Sequence, residues 1–188
     1  MSTSRAVSRA RAGVLDRLAA RWRMDLVFFL VAAAIIAADQ FTKWLVRSNL
    51  ALYESWPSGD GFVRIIHVVN SGAAFGILQG ETPFLIVTSL LGLAAIALYY
   101  VYPPMEHGVI RLALGMQLGG AVGNLIDRVR MGEVTDFIDV GRFPTFNVAD
   151  ASITVSIIVV LAFFALQETE AAAQRDRAPD DATDERGA

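Results

Sequence analysis

The chain contains no cysteine, which excludes disulfide bonds, thiolate nucleophiles and cysteine metal ligands. Its two histidines, His67 and His107, are isolated and form no ligand spacing such as His-Glu-x-x-His, so no metal site is expected. No Gly-x-Ser-x-Gly motif occurs, and a serine–lysine catalytic pair would have to combine Lys43 with Ser48 or Ser71. Hydrolytic chemistry in this chain would therefore depend on carboxyl groups, without a metal or a cofactor.

Charged residues are scarce except at the two ends of the chain. Hydrophobic residues make up 54% of the sequence and charged residues 19%. Residues 1–24 carry six Arg against one Asp, and residues 168–188 carry seven acids against three Arg. These compositions predict a basic N-terminal tail over 1–24, a single membrane domain over 25–166, and an acidic, disordered tail over 167–188.

Four apolar segments of about 20 residues are each long enough to cross the hydrocarbon of a bilayer. They predict a membrane protein of the mainly α class, a bundle of four transmembrane helices over Leu26–Val46, Phe84–Tyr102, Val109–Ile126 and Val148–Leu166. A cleaved signal peptide is the alternative for the first segment. That segment is long and lacks a clear small-x-small cleavage site, so a retained anchor is expected.

The basic residues at the start of the chain predict its orientation. By the positive-inside rule, the arginines before Met24 place the N-terminus in the cytoplasm, and four spans return the C-terminus to the same side. Three arginines between residues 127 and 147 argue mildly against this orientation. In the predicted orientation, polar residues from several spans meet near the extracytoplasmic surface, with Asp39 about a turn deeper: Lys43, Asn124, Asp127, Asp136, Asn147 and Asp150.

The connection between the first two spans has a pattern of its own. β-branched residues dominate Phe62–Val69, which predicts a strand, and the turn-forming residues 57–61 precede it. We expect a small extracytoplasmic β-sheet between spans one and two. The segment 70–76 that follows, NSGAAFG, suits a place where an extended peptide lies against the backbone and is held by Asn70. A plain turn after the strand would look similar.

The third span carries glycines at four-residue intervals, Gly115, Gly119 and Gly123. Such a face lets another helix approach closely. The pattern predicts tight helix packing in preference to direct substrate contact by these glycines.

Acidic residues near span ends are the candidates for chemistry. Asp127, Asp136, Asp139 and Asp150 lie within 24 positions. Two carboxyls brought together in a low dielectric share one proton, the state that activates water in aspartic proteases. The competing interpretation is a set of surface acids paired with arginines, namely Arg128, Arg130 and Arg142.

Asp39 and Lys43 are a further charged pair inside the first span. They are four residues apart and share a helix face. They form either a structural ion pair or a pair that contacts substrate, and the sequence leaves both interpretations open.

Five ordered blocks resemble one family. They are DQFTK at 39–43, NSGAAFG at 70–76, GGAVGNLIDR at 119–128, VTDFID at 134–139 and FNVADASI at 146–153. In these blocks the chain resembles the bacterial lipoprotein signal peptidases, also called signal peptidase II, over roughly residues 25–166. One departure is the segment DVGRFPT at 139–145, which is shorter than the corresponding connection of many relatives.

The resemblance implies a membrane-embedded aspartic endopeptidase that cleaves prolipoproteins before a diacylglyceryl-modified cysteine and that is inhibited by the cyclic peptide globomycin. It implies Asp136 and Asp150 as the catalytic pair. It assigns substrate binding or dyad positioning to Asp39, Lys43, Asn70, Gly72, Asn124, Arg128 and Asn147. The expected partners are diacylglyceryl-prolipoproteins and membrane lipid, with no nucleic acid, and the expected state is a monomer in the bacterial cytoplasmic membrane.

Two other classes of protein would also place acids in a small helical bundle. A proton-coupled transporter predicts acids reachable in turn from both membrane sides and broken helices near the midplane. A membrane scaffold that uses the glycine face predicts that replacing Asp136 or Asp150 leaves function intact.

Overall fold

The computed structural model describes residues 2–59, 61–72, 80–102 and 107–177. Within these ranges the chain forms four helices and three short strands. In chain order they are α1 (Ser2–Asn49), β1 (Ser55–Trp56), β2 (Val63–Asn70), α2 (Thr82–Val101), α3 (Gly108–Met131), β3 (Val134–Val140) and α4 (Val148–Arg177).

All four helices are long and apolar enough to cross a membrane, which confirms the predicted bundle. The candidate spans are Trp22–Asn49, Thr82–Val101, Gly108–Met131 and Val148–Arg175. Large apolar side chains such as Leu91 on α2 and Leu161 on α4 are each 64% exposed. In a membrane protein such apolar side chains face lipid. A helix can lie in lipid because each of its backbone polar groups is already paired inside it.

Helix α3 lies at the centre of the bundle, where it packs against each of the other three helices. Half of its span is buried, a larger share than in any other candidate span. It ends at Gly132, which adopts the left-handed conformation with φ of 80° and donates its N–H to the Arg128 carbonyl at 3.0 Å. Glycine takes up this C-terminal conformation without the steric cost that a side chain would impose.

The glycines of α3 allow close approach on two faces, which confirms the prediction of tight packing. A Cβ atom at Gly119 would lie 2.8 Å from the Ala32 carbonyl oxygen of α1. A Cβ atom at Gly120 would lie 2.5 Å from the Ala149 carbonyl oxygen of α4. The backbones of α1 and α4 therefore occupy space that any side chain at these positions would need.

The predicted sheet is present, and it has a third strand that the sequence did not indicate. The strand order is β1-β2-β3 with antiparallel pairing throughout. Strands β1 and β2 lie between α1 and α2 as expected, whereas β3 belongs to the connection between α3 and α4, which had been interpreted as a loop. Residues 134–137 are buried in succession, so β3 lacks the alternation that identifies a half-buried strand. Its pairing with β2 is a long-range contact.

The expected start of the C-terminal tail is wrong, because α4 continues through residues 167–177 to Arg177. Ala, Gln, Glu and Arg are good helix formers, and extending an existing helix requires no new nucleation. Residues 178–188 lie outside the described residues, so an acidic tail there stays a prediction. At the other end, α1 begins at Ser2, so the basic N-terminal segment continues the first span as one helix.

Replacing Gly119 with Ala is expected to destabilise the bundle, because the new methyl group meets the α1 backbone and the helices must separate. Overpacking of this kind costs about 1–3 kcal/mol. The matched control is Gly92→Ala on α2, where a Cβ atom would have nothing within 4 Å. Thermal unfolding in detergent should show a lower midpoint for Gly119→Ala and no loss for Gly92→Ala. Equal midpoints for the two variants would contradict close packing at Gly119.

Candidate active site

A cavity of about 950 Å³ opens where the sheet meets the adjoining ends of α3 and α4. Strand β2 and the residues after it form one side, and residues 143–146 form another. The short connection singled out in the sequence therefore contributes a wall of the cavity. The cavity is lined by several of the predicted site residues: Asn70, Gly72, Asn124, Arg128, Asp136 and Asp150.

Asp136 is the strand-borne carboxyl of this cavity. It lies on β3 and is 3% exposed. Its Oδ1 accepts a hydrogen bond from Asn147 Nδ2 at 2.7 Å, and its Oδ2 accepts one from Asn70 Nδ2 at 3.0 Å. Strand pairing brings Asn70 to this place, because β2 ends beside the start of β3, with Asn70 opposite Val134.

Asp150 is the helix-borne carboxyl and lies in the first turn of α4. Its backbone N–H donates to Asn147 Oδ1 at 2.9 Å, and its Oδ2 accepts from the Asn147 backbone N–H at 3.3 Å. This reciprocal pair is a capping box, with Asn147 at the N-cap and Asp150 three residues later. The remaining oxygen, Oδ1, accepts from Asn124 Nδ2 at 2.7 Å. Local helix-start chemistry therefore fixes the orientation of the Asp150 carboxyl.

Asn147 connects the two carboxyls. Its side chain is fully buried. Besides Asp136, its Nδ2 lies 3.1 Å from Asn124 Oδ1, while its backbone N–H and Oδ1 both engage Asp150. One carboxamide thus holds the strand acid and the helix acid in a single network.

A buried ion cluster lies beneath this network. The Lys43 ammonium is 2.8 Å from Asp39 Oδ2 and 3.0 Å from Asp127 Oδ2. It also donates to Asn124 Oδ1 at 2.9 Å. Because Lys43 engages the oxygen of this carboxamide, the Asn124 NH₂ group is directed to Asp150. Asp39 in turn accepts the Ala149 backbone N–H at 3.0 Å, which ties α1 to the first turn of α4.

Asp39 and Lys43 are both fully buried and do not line the cavity. This geometry favours the structural interpretation of the pair over direct contact with substrate. Burying both charges together limits the desolvation cost that either would carry alone.

Three residues that the sequence interpretation missed complete the support. Gln40 Nε2 contacts Asp127 Oδ1 at 3.1 Å and the Gly123 carbonyl at 3.1 Å. Arg47 donates to Thr135 Oγ1 at 2.9 Å, beside Asp136 on β3. The position of Gln40 inside the DQFTK block was a signal for it. No sequence signal marked Arg47 or Thr135, because their contact depends on the position of β3.

The two remaining acids have cationic partners. Asp139 accepts from the Arg64 guanidinium on β2, with the closest contact at 2.5 Å, and Asp127 pairs with Lys43. Within the described ranges no ion pair joins these two acids to Arg128, Arg130 or Arg142. Arg128 lies near enough to Asp127, Asp136 and Asp150 to interact with their charges without forming an ion pair. Strand pairing decides the partner of Asp139, because Arg64 is directly opposite it in the β2–β3 register.

The segment expected to hold an extended peptide is only partly described. Asn70 and Gly72 line the cavity, and the Gly72 N–H donates to Asn70 Oδ1 at 2.9 Å. This bond leaves the Asn70 NH₂ group to face Asp136. Residues 73–76 of the same block lie outside the described residues.

Burial and the nearby Asp150 carboxylate raise the pKa of Asp136 to about 6, from an ordinary value of 3.8. Hydrogen bonds from Asn70 and Asn147 and the Lys43 charge oppose this rise without cancelling it. The Asp136 carboxyl therefore holds a proton in a pH range where an exposed aspartate is ionised. Two carboxyls line one cavity, and Asp136 keeps its proton to a higher pH than an exposed aspartate does. Such a pair can supply both a base and an acid.

Comparisons with known proteins agree with this geometry. The family model for signal peptidase (SPase) II matches residues 31–166. The lipoprotein signal peptidase of Dehalococcoides mccartyi strain BAV1 is 48% identical over 143 residues, covering 74% of this chain and 89% of that protein. The lipoprotein signal peptidase of Moorella thermoacetica is 42% identical over 134 residues, covering 71% of this chain and 89% of that protein.

A solved structure described as a bacterial membrane enzyme, determined by the in meso method at 2.3 Å resolution, has a similar fold. It superposes with a TM-score of 0.70 at 33% identity, covering 76% of this chain and 88% of that one. The region matched by the family model, residues 31–166, contains the central parts of all four apolar helices. It also contains Asp136, Asp150 and the asparagines that hold them. The chain belongs to the signal peptidase II family of membrane proteases.

Proposed function

We propose that this protein is an aspartic endopeptidase in which Asp136 and Asp150 form the catalytic dyad. One observation carries the assignment: of the four clustered acids, only these two line the cavity. Both accept hydrogen bonds from asparagine side chains. Asp127 and Asp139 are instead engaged by Lys43 and Arg64. A carboxyl held by neutral amides and open to the cavity can exchange a proton with substrate, whereas Asp127 and Asp139 are already engaged by cations and do not line the cavity.

In the proposed mechanism the two carboxyls share one proton. The ionised member takes a proton from a water molecule, which attacks the scissile carbonyl, and the protonated member donates to the carbonyl oxygen. When the tetrahedral intermediate collapses, the C–N bond breaks and the carboxyl that took the water proton donates it to the amine leaving group. The other carboxylate takes back a proton from a hydroxyl of the intermediate, which leaves a carboxylic acid product and restores the singly protonated pair. The raised pKa of Asp136 supports the shared proton, since it keeps one carboxyl protonated beside an ionised neighbour.

The surrounding residues act by positioning. Lys43 orients Asn124, Asn124 holds Asp150, and Asn147 holds both acids. Arg128 and Gly72 line the same cavity, which supports the proposal that they contact the substrate backbone. A fixed hydrogen-bond network of this kind lowers the reorganisation needed in the transition state.

The proposed substrate is a prolipoprotein whose cysteine carries a diacylglyceryl group, with cleavage directly before that cysteine. The name lipoprotein signal peptidase, carried by the relatives at 40–48% identity, supports it. A cavity beside the ends of two spans lets acyl chains stay in lipid while the peptide reaches the dyad. Each buried methylene contributes about 0.8 kcal/mol, so two acyl chains make lipidation a strong requirement. We further propose that the protein acts as a monomer and that globomycin occupies the same cavity.

The proposed location is the bacterial cytoplasmic membrane, with both termini in the cytoplasm and the dyad at the outer face. The arginines of residues 1–24 support this orientation. Arg128 was one of the three arginines that argued against it. Since its side chain lines the cavity, it is accounted for by the site, which weakens that objection.

The transporter alternative is less well supported. Its acids should be reachable in turn from both sides, through helices broken near the midplane. In the described part of the chain each candidate span is one continuous helix, and the two cavity acids lie at the same end of the bundle as the sheet.

Asp136→Asn and Asp150→Asn should each lower kcat by at least about a thousandfold, because an amide neither accepts nor donates the catalytic proton. The measurement is cleavage of a purified diacylglyceryl-prolipoprotein by the detergent-solubilised enzyme. An unlipidated version of the same substrate should be cleaved far less by the wild type.

The matched control is Asp139→Asn, which changes a neighbouring acid on the same strand. It removes only the ion pair with Arg64 and should remain active. Full activity in a folded Asp136 or Asp150 variant would move the catalytic assignment to another acid. Equal cleavage of lipidated and unlipidated substrate would refute the proposed specificity.

The pH dependence should report the shared proton. Because Asp136 has a raised pKa of about 6, it loses its proton as the pH rises through that value, and the singly protonated dyad disappears above it. In the free enzyme, kcat/KM should therefore fall at alkaline pH with a limb that starts near 6. Bound substrate is expected to bury the two carboxyls further and so to raise the pKa of Asp136. The fall in kcat should therefore begin at a higher pH than the fall in kcat/KM. A profile that is flat from acid to alkaline pH would contradict a titrating dyad.

The absence of cysteine makes the orientation directly testable. A single cysteine introduced at the exposed Ser58, in the turn before β2, should react with a membrane-impermeant maleimide added to intact spheroplasts. A cysteine introduced at Ser4 should react only after the membrane is opened. The reverse pattern would place the site on the cytoplasmic side.

A further inference from the structure

A second cavity, of about 320 Å³, lies inside the bundle next to the first. Its walls come from α2, α3 and α4, and three of its residues, Asn124, Arg128 and Ile153, also line the larger cavity. We call this second cavity the α2–α4 groove. Its lining includes Thr88, Ser89, Gly92, Gln117, Asn124 and Arg128.

The groove exists because α2 and α4 both pack against α3 but leave a gap between themselves. Helices α2 and α4 both pack against α3, while α2 makes no comparable contact with α4 within the described residues. On α3 the lining residues recur at helical spacing from Gln117 to Arg128, so the groove follows this helix for about 16 Å. It therefore extends from the proposed dyad into the depth of the bundle. At Gly92 on α2, a Cβ atom would meet nothing within 4 Å, so no atom of the described chain fills the space beside it.

Gln117 is a polar groove residue whose carboxamide has no hydrogen-bond partner among the residues that the structure describes. It lies within the third span and is half-buried. The hydroxyls of Thr88 and Ser89 already bond to the Leu85 carbonyl, at 3.0 and 2.7 Å. The Gln117 carboxamide makes no hydrogen bond to any residue in the described ranges. An amide without a partner at membrane depth costs free energy, so a ligand that satisfies it would be stabilised there.

We propose that Gln117 binds the backbone of the substrate's signal peptide, about three residues before the cleaved bond, and so sets specificity on that side. This inference rests on the proposed peptidase function. Gln117 precedes Asn124 by two turns, which is about 10 Å along α3. An extended peptide covers this distance with about three residues at roughly 3.3 Å each.

The chemistry of a carboxamide selects a peptide over an acyl ester as the occupant. A glutamine side chain offers an NH₂ donor and a carbonyl acceptor. One residue of an extended peptide directs its own C=O and N–H to the same side, so both ends of the carboxamide are satisfied. An ester of the diacylglyceryl group can only accept, and it would leave the Gln117 oxygen without a partner. The direction agrees, because the signal peptide continues into the bilayer from the scissile bond.

The test combines one enzyme variant with substrates altered at single backbone positions. In a lipidated substrate, one peptide N–H at a time is replaced by an ester oxygen over the five residues before the cut. For the wild type, one position about three residues before the cut should lower kcat/KM roughly ten-fold, the loss expected for one hydrogen bond in a low-dielectric site. Gln117→Met should cleave the unaltered substrate roughly ten-fold less efficiently through a higher KM. That variant should show no further loss at the sensitive position.

The control variant is Thr42→Val, which removes a polar group from a span outside both cavities. Its hydroxyl donates to the Ala38 carbonyl at 2.7 Å, and it should leave the substrate profile unchanged. Equal losses at the sensitive position for wild type and Gln117→Met would overturn the proposal. So would a Gln117→Met effect that varies with acyl-chain length and is indifferent to the peptide backbone, which would assign the groove to lipid.

Binding separates this inference from the proposed chemistry. Affinity for an unaltered lipidated substrate is measured with Asp136→Asn and with Asp136→Asn carrying Gln117→Met. A roughly ten-fold weaker affinity in the double variant supports the groove whether or not Asp136 is catalytic. Unchanged affinity overturns it. Failure of the wild type to cleave any substrate would count against the proposed function and leave this binding result standing by itself.

Discussion

The buried ammonium of Lys43 lies between the carboxylates of Asp39 and Asp127, at the point where α1, α3 and α4 come together. All three side chains are at most 1% exposed. A charge buried in this way requires its partners, since removing one partner of a buried pair typically costs about 3–5 kcal/mol. The helices that carry these residues are therefore held in one relative position at the end of the bundle where the cavity opens.

The positions of Asp136 and Asp150, the proposed dyad, follow from that cluster through two asparagines. Lys43 fixes Asn124, which donates to Asp150, while the capping box at the start of α4 fixes Asn147 against both acids. The Lys43 charge thus acts on Asp136 directly through its electric field, and on Asp150 also through the Asn124 carboxamide that it orients. Direct contact with a cation would lock a carboxyl in its ionised form, whereas amide donors leave the proton free to move. The raised pKa of Asp136 is consistent with this arrangement.

The glycines of α3 hold the same helices together by close packing, in addition to the buried ion cluster. Gly119 lets the α1 backbone approach and Gly120 does the same for α4, so α3 is enclosed on two sides. On its third side α2 packs less closely, and the α2–α4 groove remains. The α1–α3–α4 unit is therefore tightly packed, and the proposed lipidated substrate would enter on the side where α2 packs more loosely.

The sequence by itself determined the features that depend on residues close to one another in the chain. Apolar runs near 20 residues required four spans, because a helix has to satisfy its own backbone in lipid. The four-residue spacing of Gly115, Gly119 and Gly123 indicated close packing. The five family blocks marked both acids and the asparagines around them. Only the tertiary structure decided which acids have cationic partners, because the match of Asp139 with Arg64 depends on the register between two strands 75 residues apart. Strand β3, the contact of Arg47 with Thr135 and the place of Gln117 in the α2–α4 groove share this dependence, since each is defined by neighbours that are distant in sequence and brought together only by packing.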